Sequence, residues 1–355
     1  MLKKALVIGL AFMISIGFFA ILDTEAEAAD YTIRVGYADR DIWLENPEEE
    51  PVPDPQTAFA LVFESIVEQE TDGDIEVERY PESALGTEGE MVEMVQAGTL
   101  DISAGAGMMG PYFPEFQVIN LPYAFESAAH ANYFLEHSEF WNDLMEEMEE
   151  EMGVKLLGVS HNGFRNITSN ETLVKEPEDM EGQRIRVMDS PVFVEQFEAV
   201  GADPVPMAWE ELYTSLEAGV VDAQENPISV INLGALYEVQ DYLTLNAHTY
   251  SANVFLMNED LFADLPEEYQ TVVREAAYTA NNTGHATEQL ASRVAHFDVM
   301  EEEFEDIYSP TAEEIDAFRD AKQPAVQEWL EDELGEEIVV EFIEEVERTA
   351  EEFGH

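Results

Sequence analysis

The stretch Gly182-Gln183-Arg184-Ile185-Arg186-Val187-Met188 leads through Gly201-Ala202-Asp203-Pro204-Val205-Pro206-Met207-Ala208-Trp209-Glu210-Glu211-Leu212-Tyr213 to Asp222-Ala223-Gln224-Glu225-Asn226-Pro227. The rest of the chain can be placed around it. Ile185 and Val187 alternate with Arg184 and Arg186, so a strand here turns two apolar residues to a core and two arginines the other way. An arginine pair is ordinarily a solvated strand face. In this chain 15 Lys and Arg stand against 78 Asp and Glu, so a cation kept at a strand end beside a Gly- and Pro-punctuated loop has more to explain.

Upstream, Tyr31 to Tyr37, Ile75 to Tyr80 and Leu100 to Ala104 alternate as strands, and Phe59, Val62, Phe63, Ile66 and Val67 recur at helical spacing. Met91, Met94 and Val95 form a second amphipathic helix ending at Gly98, and Asn46 to Asp54, rich in Pro and Glu, reads as an exposed loop. This alternation predicts an α/β fold with a parallel sheet. Gly105-Ala106-Gly107-Met108-Met109-Gly110 matches a dinucleotide-binding turn, but such a turn must open a helix, and Pro111 and Pro114 follow. We therefore read it as a loop lining a cleft, and expect no cofactor. Trp141, Leu144, Met145, Met148 and Met152 make a helical stripe that suits core packing better than a partner face. Val154 to Val159 and Asn253 to Met257 read as strands, with the crossing between domains placed at His161-Asn162-Gly163-Phe164-Arg165 and the return near Tyr250-Ser251. Asp264 and Pro266 start a helix that meets no further proline before Pro310. Two helical patterns end the chain, one interrupted at Pro324 and one carrying Ile338, Phe342, Ile343 and Val346.

The order of these motifs, with Leu85-Gly86, Leu121-Pro122-Tyr123 and Asn162-Gly163-Phe164-Arg165 ahead of them, resembles the DctP-type solute-binding proteins of TRAP (tripartite ATP-independent periplasmic) transporters. The resemblance covers nearly the whole chain after its first residues. It implies a two-lobed periplasmic-binding-protein-like α/β fold with a long helix spanning both lobes. On this sequence that gives a signal peptide at 1–28, lobe I at 30–163 plus 252–291, lobe II at 164–251 plus 292–312, and C-terminal helices at 313–355. It further implies capture of a small organic-acid anion, closure of the lobes about a hinge, and delivery to TRAP integral membrane subunits. On the matching motifs Arg186 is the carboxylate clamp, Arg165 a second cation, Asn226 a donor and Trp209 an aromatic wall. The guanidinium fork matches a carboxylate in two parallel bonds, which lysine cannot do. The competing reading of Arg186 is an ion pair with an acid such as Glu225. Tyr37, Glu88 and Met108 are first-lobe candidates because they lie in loops at strand ends, where α/β sheets hold their ligands. Relatives that bind sialic acid carry polar and charged residues in the loop where this chain has Met108 and Met109, which favours a smaller carboxylate.

Composition narrows the classes further. At 355 residues with 46% hydrophobic content the chain can bury a large core, and two domains are expected. The net charge of −63 opposes nucleic acid and anionic membranes, and acid spread along the chain suits a solvated surface working in high salt. Lys3-Lys4, the apolar run from Ala5 to Leu22 and Ala26-Glu27-Ala28 read as an export signal cleaved after Ala28, the alternative being a retained anchor. This places the protein in the periplasm or elsewhere outside the cytoplasm. Zero cysteines exclude a lipidated leader, disulfides and thiolate metal sites. The seven histidines show no metal-ligand spacing, and neither a nucleophile elbow nor a phosphate-binding Gly-Lys-Ser/Thr loop is present. A monomeric binding protein, not an enzyme, is the expectation. The alternatives are a secreted or surface-anchored α/β enzyme acting on a carboxylate and an ABC-type binding protein.

Overall fold

A computed structural model of the chain describes residues 29–41, 53–105, 107–294 and 303–354. The segment expected to be an export signal and most of the Pro- and Glu-rich loop lie outside the described residues. Among those described, no helix is long and apolar enough to cross a membrane.

The N-terminal third builds one wing of a mixed sheet. Strands β1 (Tyr31–Tyr37), β2 (Ile75–Tyr80) and β3 (Ile102–Gly105) pair in parallel, with β1 in the middle, and α1 (Pro55–Glu70) and α2 (Glu88–Gln96) make the connections. Helix α2 opens on a reciprocal capping box between Thr87 and Glu90, which sets Glu88 in its first turn. No α-helix follows β3 directly, since the next, α3 (Ala128–His137), begins only after a 3-10 segment at Pro114–Asn120. The glycines of the dinucleotide-like turn have a packing reason instead. Gly107 has φ +53°, and a Cβ there would meet the Ala252 carbonyl oxygen at 2.8 Å. On α4 (Glu139–Met152) the Trp141, Leu144, Met145, Met148 and Met152 stripe is buried in the core.

Two long strands then join the halves of the molecule. β4 (Val154–Ser169) and β8 (Tyr242–Asn258) pair antiparallel along most of their length. The positions expected to hold the crossings between domains, 161–165 and 250–251, lie within these continuous strands. Register shifts between Leu156 and Gly158, His161 and Gly163, and Arg165 and Ile167 bend the ribbon without ending its pairing. Between them in sequence, β5 (Arg184–Val187), α5 (Pro191–Glu198), β6 (Asp203–Pro206), α6 (Trp209–Glu217), β7 (Ala223–Pro227) and α7 (Ile228–Leu233) build the second wing. The strand order is β2-β1-β3-β8-β4-β7-β5-β6, with β9 (Asp306–Tyr308) on β8. The sheet is therefore parallel in its wings and antiparallel at its centre, where a parallel sheet throughout was expected.

After the short α8 (Glu259–Asp264), α9 (Glu267–Val294) runs for 28 residues, about 42 Å at 1.5 Å per residue. It packs along α1 and β4 and reaches α7, where Ser229 donates to Glu288 at 2.8 Å. The last two helices are α10 (Ala312–Leu334) and α11 (Glu336–Phe353). The interruption expected at Pro324 is absent: α10 continues through it, held to the core by Phe318, Lys322, Val326 and Leu330. One proline removes a single intrahelical bond, and a buried stripe at four-residue spacing outweighs that loss.

Candidate functional site

Alternation along β5 sets Arg184 and Arg186 on the same face of the strand, and what covers them differs. Arg184, at the start of the strand, stays exposed in an ion pair with Asp222. Arg186, two residues on, is covered and only 3% exposed, against the expectation of a solvated arginine face. Its Nε and Nη2 both donate to the Met207 carbonyl oxygen, at 3.0 and 2.8 Å, and no described carboxylate forms an ion pair with it. Burial pushes its pKa down to about 10, with Arg165 acting the same way and Glu225, Glu88 and Glu210 opposing. The guanidinium remains charged at neutral pH.

Arg165 is fully buried, and it is this residue that takes Glu225 as its partner. Its Nε pairs with Glu225 Oε2, while Nη2 reaches Oε1 at 2.8 Å, the Glu225 carbonyl at 2.6 Å and Asn226 Oδ1 at 3.0 Å. The ion pair considered for Arg186 is thus made by its neighbour. Arg165 Nη1 has no partner, and the guanidinium lies 5.2 Å from the Phe193 ring centroid. The Asn226 amide nitrogen is committed to Gln224 Oε1 at 2.6 Å. Burial opposes ionisation of Glu225, but Arg165 and the nearby His248 outweigh it and hold its pKa at about 2. His248 Nε2 lies 3.3 Å from Glu225 Oε2, and burial with Lys322 nearby brings the ring down to about 4, so it is neutral.

Two cavities of about 230 and 220 Å³ lie between the wings, with Trp209 and Glu210 in the walls of both. The first is bounded by Glu88 and Met108 from the first wing and by Asp189 and Trp209 from the second. Glu88 is buried and accepts from Gln56 Nε2 at 3.1 Å, while Met108 and Trp209 are half-buried. Tyr37 is elsewhere: it is fully buried in the core beneath, its hydroxyl accepting from Arg79 at 3.2 Å, and it lines neither cavity. The walls touch across the cleft, through Ser83 to Glu210 and through Arg40 to the Leu233 carbonyl. Of the residues singled out from sequence, Glu88, Met108 and Trp209 line one cavity, whereas Arg186, Arg165 and Asn226 form a buried polar group that lines neither, with Arg186 close enough to feel Glu88 and Glu210.

Sequence reasoning missed Glu225 as a structural anion, together with His248 and Lys322. Glu225 stood in the quoted motif, and Lys322 fell at four-residue spacing between Phe318 and Val326, a position where an amphipathic helix carries apolar residues. No local signal marked His248.

The sequence profile of the DctP family, described as bacterial extracellular solute-binding protein, family 7, matches residues 48–332. YiaO of Escherichia coli, a 2,3-diketo-L-gulonate-binding periplasmic protein, is 33% identical over 230 residues, covering 64% of this chain and 70% of its own. TeaA of Halomonas elongata, an ectoine-binding periplasmic protein, is 30% identical over 307 residues, covering 83% and 87%. Among solved structures, the sugar acid binding protein DctPAm of Advenella mimigardefordensis, in complex with galactonate, is 27% identical. It superposes with a TM-score of 0.83 over 91% of this chain and 100% of the other. A profile match across most of the chain, relatives aligned along its length and a shared two-lobed architecture lead to one conclusion: this chain belongs to the DctP-type solute-binding proteins of TRAP transporters.

Proposed function

We propose that the protein is an extracytoplasmic receptor that captures a small organic-acid anion on Arg186 and delivers it to TRAP integral membrane subunits. The observation that carries this is the contrast between the two buried arginines. Arg165 is matched by Glu225, whereas Arg186 holds a charge that no described carboxylate pairs with, within electrostatic reach of Glu88 and Glu210 in the wall of the first cavity. A buried cation without a counter-charge is costly, and a ligand carboxylate lowers that cost. Asn226 and Arg165 fix the floor under the clamp, and Trp209, Met108 and Glu88 shape the walls. The small cavities suit sugar acids and other compact acids, the kind of ligand borne by YiaO and DctPAm. Lobe I is formed by 30–163 with 252–291 and lobe II by 164–251 with 292–312, turning about the β4 and β8 ribbon. The receptor is a monomer, secreted by its leader into a salty periplasm or its equivalent.

A thermal-shift screen of the purified protein against organic acids tests the reading, repeated with Arg186→Ala. At least one acid is expected to raise the melting temperature of the wild type and not that of the variant. The loss corresponds to about 1.5–3 kcal/mol for a hydrogen bond to a charged group. An equal shift in both proteins would remove Arg186 from the account.

A further inference from the structure

A concavity of about 570 Å³ shares no described lining residue with the cavities beside Trp209. It is formed by the turn ahead of α3, the middle of β4, the bend of β8 and the start of α10. In a chain with 78 acidic and 15 basic residues, its described lining holds one of each, Glu126 and Arg319. Most of the remaining wall is apolar or aromatic: Tyr123, Phe125, Phe164, Leu245 and Ile315. That departure from the surrounding surface is what a ligand pocket requires, an apolar body with a few polar groups.

The polar groups present are mostly donors. Asn246, 1% exposed, lines the concavity with its Nδ2 unpartnered, and the Tyr123 hydroxyl is also buried without a partner. Arg319 is held against this wall, its guanidinium 5.4 Å from the Tyr123 ring centroid, with the exposed Asp316 as its ion-pair partner. The backbone beneath is strained on both sides. Tyr123 has φ +57° and Ala247 φ +45°, conformations costly for residues with a Cβ. Between the pairs Ile167 with Thr244 and Arg165 with Thr249, β8 bulges out by residues 245–248, and Tyr123 N donates to the His248 carbonyl at 3.0 Å. A bulge re-aims side chains. Here it sets Asn246 in the concavity wall and His248 against Glu225, with Asn246 Oδ1 and His248 Nδ1 3.1 Å apart.

We propose that this concavity is a second ligand site, for a small carboxylate with an aromatic or branched apolar body. The guanidinium of Arg319 takes the carboxylate as a planar fork, Asn246 and Tyr123 supply further donors, and the aromatic wall takes the body.

Calorimetric titration of benzoate into the Arg186→Ala protein tests this with the cleft silenced. One equivalent of benzoate is expected to bind, acetate at least tenfold more weakly, and benzoate at least tenfold more weakly when Arg319→Gln is added. The Arg319 side chain is 41% exposed, so the second substitution leaves the core in place. Absence of benzoate binding to Arg186→Ala, equal binding of acetate, or binding indifferent to Arg319→Gln would each overturn the proposal.

Discussion

Arg186 and Lys322 are both cations buried in an acidic protein, and their surroundings part them. Arg186 donates to the Met207 carbonyl oxygen and feels Glu88 and Glu210 of the cavity wall, whereas Lys322 is enclosed, its Nζ without a hydrogen bond and 3.6 Å from the Phe197 ring centroid. Burial pushes the Lys322 pKa down to about 7, with Glu225 pulling upward, and His248 is the other titratable group it influences. The folded value lies below the unfolded one near 10.5, so the unfolded chain binds the proton more tightly between them. This contribution to stability is present above pH 10.5 and is lost as pH falls through about 7. Lys322→Met is therefore expected to raise the melting temperature most below pH 7, with the gain shrinking towards pH 10 in a scan by circular dichroism. A gain independent of pH would contradict the assignment. Arg186 was legible in the sequence because it stood in a strand beside a punctuated loop. The Arg165–Glu225 pair was not, because with 78 acids in the chain spacing alone cannot single out one partner.

At the level of elements, the local periodicity located most helices and the short parallel strands. It failed where tertiary pairing overrides local punctuation. The sequence reads as strand only over Val154 to Val159, yet Gly163 too lies within β4 with φ +127°, and a Cβ there would fall 2.7 Å from Pro227 Cβ and 3.1 Å from Glu288 Oε1. The residue is glycine because the bent ribbon, β7 and α9 converge on it. Gly163→Ala should destabilise the protein by about 1–3 kcal/mol, the usual range for a strained backbone position. Urea unfolding would read this as a lower midpoint, and an unchanged midpoint would show that the ribbon relaxes freely. Pro324 misled in the opposite sense, since a buried stripe carries α10 past it.

Over the whole molecule the net charge of −63 acts on both folding and capture. Like charges repel across a compact surface, and an anionic ligand must approach the same field. About 1 M salt shortens the screening length to roughly 3 Å, which relieves both. The unfolding midpoint is expected to rise from low to molar potassium chloride, and a flat response would contradict the reading of the acidic surface as a salt adaptation. The capture claim is tested most directly by calorimetric titration, at high salt, of the best organic acid from the screen into wild-type and Arg186→Ala protein. One equivalent should bind the wild type, with affinity lowered at least tenfold in the variant. Equal affinity in the two proteins would contradict the assignment of Arg186 as the carboxylate clamp.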